Sequence, residues 1–99
     1  MNKIQYGKSV YKADKLLKVS LAFSGDIIQK VNICGDFFLY PEESITGLEE
    51  LLAGTPLESG AIEAKTAGFF SQNTAYGFDA KSLAEAILLA RQNSEAQQH

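Results

Sequence analysis

Of the 99 residues one is cysteine, one is histidine, two are proline and none is tryptophan. A single thiol, Cys34, cannot staple a fold, and a lone His99 cannot build a metal site. Nucleophilic arrangements that need a histidine inside the fold, whether Ser/His/Asp or Cys/His, are excluded with it. No apolar run approaches the ~18 residues that span a bilayer. The opening stretch Met1-Asn2-Lys3-Ile4-Gln5-Tyr6-Gly7-Lys8 lacks the continuous apolar core of a signal peptide. The expectation is a cytoplasmic, metal-free chain with no membrane partner. Disorder and collagen-like repetition are equally excluded by a content of 45% hydrophobic and 21% charged residues. The length gives one domain over residues 1–99, burying roughly 60–65% of the surface its unfolded form exposes.

Charge is unevenly divided. Residues 1–30 hold six lysines (Lys3, Lys8, Lys12, Lys15, Lys18, Lys30) against Asp14 and Asp26, a balance of +4. Residues 31–99 hold Lys65, Lys81 and Arg91 against ten acids, a balance of −7. A basic head on an acidic body can orient an anionic ligand or an acidic partner. Lysines on the wet face of a hairpin are the simpler reading. Spread-out lysines, scarce arginine and an acidic pI argue against nucleic acid.

Leu17, Val19, Leu21 and Phe23 alternate with Lys18 and Ser20, the period-2 pattern of a strand with one buried face. Ser24-Gly25-Asp26 supplies a turn, with Gly25 free to take positive φ. Alternation then resumes, with Ile27, Val31 and Ile33 on one side and Lys30 and Asn32 on the other. The two segments read as an antiparallel hairpin, with a third strand expected near residues 7–12. A helix is expected over residues 41–53, with Pro41 at its first position, Glu42 and Glu43 in its first turn, and Gly54 and Pro56 beyond its end. Residues 58–71 read as a second helix. Asp79 caps a third, which runs to about Gln92 and leaves residues 92–99 as a frayed tail. Strands first and helices afterwards give an α+β fold: a small antiparallel sheet covered on one face by about three helices.

Catalytic chemistry is sparse. Gly35-Asp36 opens neither a GxGxxG nor a GxxxxGK[ST] loop. Glu42, Glu43, Glu49 and Glu50 could serve as acid/base groups, but a solvated helix face accounts for them. Lys15, just before a strand, could meet a phosphate or carboxylate. Cys34 could act as a nucleophile or sulfur carrier; a buried, inert thiol is the expectation. The run Asp36-Phe37-Phe38-Leu39-Tyr40 differs in kind. It plugs the corner between strand and helix, and an exposed aromatic cluster beside a carboxylate also suits a protein interface. Candidate interface residues are therefore Lys15, Asp36, Phe37, Phe38 and Tyr40, with no catalytic residue and no metal ligand.

The stretch Asp14-Lys15-Leu16-Leu17-Lys18-Val19, then Ile33-Cys34-Gly35-Asp36-Phe37-Phe38-Leu39-Tyr40-Pro41-Glu42-Glu43, then Leu48-Glu49-Glu50-Leu51-Leu52-Ala53-Gly54, resembles the C-terminal accessory domain of lipoate-protein ligase. In some organisms that domain is a separate small subunit. The family usually has Gly where Asp14 stands and often His where Cys34 stands, so no imidazole role carries over. The resemblance implies an accessory subunit that is not catalytic alone and works in protein lipoylation as part of a heterodimer. ATP, Mg and lipoate would sit at the active site of a catalytic subunit, with a lipoyl acceptor domain as an indirect partner. The candidates above would then belong to a lid that closes for adenylation. A sulfur-transfer or iron–sulfur assembly protein and a plain interaction module are the alternatives.

Overall fold

The alternating segment at residues 16–24 forms the middle of a sheet, as its pattern requires. In the computed structural model, which describes residues 3–96, β1 (Gln5–Lys12), β2 (Leu16–Ser24) and β3 (Ile27–Gly35) make an antiparallel sheet in the order β1-β2-β3. Leu17, Val19, Leu21 and Phe23 point inward and are fully buried. Each contributes about 1.5–3 kcal/mol relative to exposure. The two-residue turn Gly25-Asp26 places Gly25 at φ 59°, and the expected third strand pairs with β2 from Gln5↔Phe23 to Lys12↔Leu16.

One face of the hairpin departs from strict alternation. Phe23 pairs with Ile28 but Ala22 pairs with Lys30, so Gln29 is an extra residue in a β-bulge. The bulge turns Ile28 into the core in place of the expected Ile27, which is 38% exposed. Ile27 instead bridges to Pro56, the Ile28 amide of β3 donates to the Thr55 carbonyl, and the Leu57 amide donates to the carbonyl of Asp26 in the turn. Further along the same edge, the Ile33 amide donates to Glu49 Oε2 at 2.8 Å. Glu49 is thus more than a member of a solvated face: it satisfies an edge amide.

Three helices cover the inward side: α1 (Ser44–Leu52) packs on β3, α3 (Ala80–Ala96) on β1 and β2, and α2 (Ser59–Gln72) on both other helices. Leu48 and Leu52 of α1, Ile62 of α2, and Leu83, Ala84, Ile87 and Ala90 of α3 close the core. Among the described residues, no helix is long and apolar enough to cross a membrane.

Two helix ends differ from expectation. The first helix starts at Ser44, not residue 41, and Glu42 and Glu43 precede it. Pro41 instead follows a short strand through a cis Tyr40–Pro41 bond, and its carbonyl accepts from the Ser44 amide at 3.0 Å and the Ser44 hydroxyl at 2.6 Å. The pairing of Tyr40 with Thr74 holds the chain extended up to Pro41, and tight i→i+3 bonds from Ser44, Ile45 and Thr46 lead into the helix. The third helix continues through residues 92–96, which were expected to fray; residues 97–99, His99 among them, lie outside the described residues. Polar contacts hold this end down. Asn93 Nδ2 donates to the Lys8 carbonyl at 2.8 Å, and Ser94 is 2% exposed.

Close approach of α3 to β1 requires Gly7. A Cβ there would sit 2.0 Å from the Ala90 carbonyl oxygen, and the neighbouring Ser9 hydroxyl donates to the Ala86 carbonyl at 2.7 Å. Asp79 caps α3 as expected: its Oδ1 accepts from the Ser82 amide at 2.8 Å, and the Ser82 hydroxyl accepts from the Asp79 amide at 2.9 Å. The amide bond from Ser82 is the main cause that holds the Asp79 carboxyl below its ordinary range.

Gly7→Ala should lower stability by about 2 kcal/mol, since backbone rather than a flexible side chain must move; urea unfolding checks this. Asp79→Ala should cost about 1 kcal/mol at neutral pH. Because the folded-state pKa is lowered, the cap's contribution is complete above the unfolded aspartate value and disappears as pH falls through the folded one. The gap between wild type and Asp79→Ala should therefore close below about pH 4, as read from unfolding midpoints across an acid series.

A candidate interface on an aromatic ribbon

After Gly35 the chain leaves the sheet and forms β4 (Phe38–Tyr40), which pairs antiparallel with β5 (Thr74–Tyr76) in a separate two-stranded ribbon. The pairs are Phe38↔Tyr76, Leu39↔Ala75 and Tyr40↔Thr74. Leu39 is buried and Ala75 packs against the core, so the pleat turns the alternate residues outward. Phe38, Tyr40 and Tyr76 are 59%, 69% and 62% exposed. Phe38 and Tyr76 stand directly opposite, and Tyr40 follows two residues along the same face. Three large aromatics thus share one wet surface.

The expected candidates separate into two groups. Phe37 is half-buried and belongs to the core, with its ring 4.5 Å from that of Phe78. Phe78 meets Phe70 at 5.3 Å, and Phe70 meets Phe69 at 5.4 Å, both edge to face. This stack anchors the ribbon from beneath. Phe38 and Tyr40 are on the outer face. Lys15 is exposed, and its amide donates to the Gly77 carbonyl at 3.0 Å. Its aliphatic stem crosses Gly77 so closely that a Cβ there would lie 2.5 Å from Lys15 Cγ, and Gly77 has φ 99°. Only glycine satisfies both demands. Lys15 is thereby pinned one residue from Tyr76. Asp36 is exposed, with its amide bonded to the Leu16 carbonyl at 3.0 Å. Among the described residues the ion pair is Arg91–Asp26, so Lys15 and Asp36 do not neutralise each other.

Tyr76 was not among the expected candidates. Three residues are too few to show periodicity, and β5 falls between two helices. The signal available was Tyr76 itself, a large aromatic beside Gly77. Cys34 is also placed differently from expectation. It is exposed, on the side of β3 opposite the buried Ile33 and paired with Lys18. It shares parity with Lys30 and Asn32, which explains its exposure.

A hollow of about 530 Å³ lies beside β5, lined by Tyr11, Asp14, Tyr76, Asp79, Lys81 and Glu85 among others. Three of its groups are committed to structure: Tyr11 donates its hydroxyl to Glu85, a bond that raises the tyrosine pKa, and Asp79 caps α3. Among the described residues, no three His, Cys, Asp or Glu side chains are grouped to hold a metal ion. The arrangement offers a surface for binding, with a lysine and a carboxylate at its margin.

Comparison with known proteins gives this surface a context. The family model described as the bacterial lipoate protein ligase C-terminus matches residues 16–87, which takes in β2, β3, the ribbon and most of the helical layer. The chain is similar to lipoate-protein ligase A subunit 2 of Thermoplasma acidophilum, with 43% identity over 56 residues, 56% of this chain. It spans 58% of the length of that relative. A solved structure of a bipartite lipoate protein ligase and its E2 lipoyl domain, from the same archaeon, is similar with TM-score 0.73 and 30% identity over 88% of this chain and 97% of that one. The family model spans the Gly35–Pro41 and Leu48–Gly54 segments on which the resemblance rests, and the chain belongs to the lipoate protein ligase C-terminus family.

Proposed function

We propose that this chain is the accessory, non-catalytic subunit of a two-part lipoate protein ligase, acting in the cytoplasm, and that its aromatic ribbon docks on a catalytic subunit. The observation that carries this reading is the exposed trio Phe38, Tyr40 and Tyr76 on a face stiffened by the Phe37–Phe78–Phe70 stack. Solvent-facing aromatics grouped on one rigid surface mark protein interfaces, where such side chains carry much of the binding energy. Family membership names the kind of partner. It favours a ligase partner over the sulfur-transfer protein and the plain interaction module.

In the reaction so assigned, the carboxylate of lipoate attacks the α-phosphorus of ATP. A mixed anhydride forms and pyrophosphate leaves. A lysine amine of an acceptor domain then attacks the acyl carbon, giving an amide and releasing AMP. The first step brings two anions together and needs their charge neutralised in a site that excludes water. ATP, lipoate and the magnesium that accompanies ATP are assigned to the catalytic subunit. The contribution of this chain is a small, rigid body that closes over that site. Lys15 and Asp36 lie at the end of the ribbon and are proposed as lid contacts; the Lys15 ammonium could face the phosphates.

Two measurements test this. The catalytic subunit alone should release little pyrophosphate from ATP and lipoate, and addition of this chain should restore release. At saturating acceptor domain, transfer from pre-made lipoyl-adenylate should depend on the chain much less. Full adenylation by the catalytic subunit unaided would falsify the accessory role. In the interface itself, Tyr40→Ala and Tyr76→Ala should each weaken association by about 2 kcal/mol, or roughly 30-fold in Kd, with the fold intact. Phe37→Ala should instead destabilise the chain by about 3 kcal/mol, because its ring is part of the core stack. Calorimetric titration and thermal unfolding of the same variants separate the two effects.

A further inference from the structure

The three sheet strands contain no aspartate or glutamate, although the chain as a whole carries 12 acidic residues. With α1 and α3 on one side of the sheet, the other side is left open among the described residues, and its rows follow from the register. Tyr6, Ala22 and Lys30 form one row; Lys8, Ser20 and Asn32 the next; Val10, Lys18 and Cys34 the third; and Lys12 pairs with Leu16 beyond them. Lys8, Lys12, Lys18 and Lys30 are all exposed there. Small side chains at Ser20 and Ala22 leave a groove of about 430 Å³ down the middle, with Tyr6 and Lys8 along one side and Lys30 and Asn32 along the other. Tyr6 and Val10 add apolar surface on β1.

We infer that this open face is a second docking surface, for an acidic surface of the lipoyl acceptor domain. This rests on the ligase reading for the identity of the occupant, while the chemistry of the occupant follows from the face itself. Four lysines without an acid among them repel a basic surface and attract a carboxylate-rich one. The contrast with the ribbon separates the two partners. A subunit that stays bound is held by buried aromatics; an acceptor that must arrive and leave in every cycle is better served by charge, which speeds encounter without slowing release. The groove takes a protruding segment of that domain, with carboxylates toward Lys8, Lys18 and Lys30 and an apolar side chain against Tyr6 or Val10.

The test uses the full chain, isotope-labelled, titrated at low salt with an unlipoylated lipoyl acceptor domain. Backbone resonances of Tyr6, Lys8, Ser20, Lys30 and Asn32 should shift, and the shifts should fade as salt rises. The combined change Lys8→Glu, Lys18→Glu, Lys30→Glu should abolish them. A milder set with glutamine at the same positions should weaken them, which guards against a charge-reversed chain that folds poorly. In the assembled ligase, the charge-reversed set should raise the KM for the acceptor domain by ~10-fold while kcat and heterodimer affinity hold. Absent shifts, shifts confined to Phe38, Tyr40 and Tyr76, or loss of affinity for the catalytic subunit in the charge-reversed set would each overturn the assignment. The titration needs no catalytic subunit. Acceptor binding without any effect on pyrophosphate release would therefore sink the accessory role and leave this surface standing, and the reverse result would do the opposite.

Discussion

Strand β2 lies between two neighbours, and its inward row of Leu17, Val19, Leu21 and Phe23 is the surface on which the rest of the chain is assembled. Removing that row from water is a large apolar gain for so short a sequence, and it demands a cover on one side only. The helices supply the cover under a tight steric condition. Helix α3 comes down on β1 where Gly7 meets the Ala90 carbonyl, and the alanines at 84, 86 and 90 keep its buried face thin. A larger residue on either surface would lift the helix and open the core beneath it.

A sheet covered on one side sorts the charge of the chain. Residues that alternate with the buried row face water, and here they are mostly lysine, serine, alanine and asparagine, with Tyr6 and Val10 as the large apolar exceptions on β1. The acids go to helices and connections, where several have structural work. Glu49 satisfies the Ile33 amide at a strand edge, Asp79 caps α3, and Asp26 meets Arg91 at 2.6 Å. The basic head and acidic body seen along the chain become two sides of the molecule. That arrangement creates a field with direction although the net charge is only −3.

Much of this was legible in the residues because the signals were periodic. The β2 pattern, the hairpin turn at Gly25, the pairing of a third strand and the bodies of all three helices each rest on several residues that agree. What escaped rests on single residues or on distant partners. An extra residue at Gln29 exchanges Ile27 for Ile28, and no local pattern announces a bulge. Pro41 suits the start of a helix as well as it suits the end of a strand; the pairing of β4 with a segment more than thirty residues away decided the matter. The polar tail at residues 92–96 looked frayed because its contacts with β1 lie far off in sequence. The candidate interface was half visible: Phe38 and Tyr40 stood out, while Tyr76 joined them only through the ribbon.

That ribbon has an energetic character of its own. Two strands of three residues each are marginal when isolated, and here they persist because Leu39 enters the core and Phe37 stacks on Phe78. Their outer face adds little beyond the cross-strand pair Phe38 and Tyr76, and three aromatic rings in water are an aggregation liability. A partner that covers Phe38, Tyr40 and Tyr76 removes the liability and at the same time stabilises the pairing that presents them. Binding and local order are then coupled: whatever loosens the stack beneath weakens the interface above, even at residues the partner never touches. On the proposed reading, a lasting contact on the ribbon leaves the lysine face of the main sheet free, and one small chain would offer separate surfaces to a partner that stays and a partner that passes.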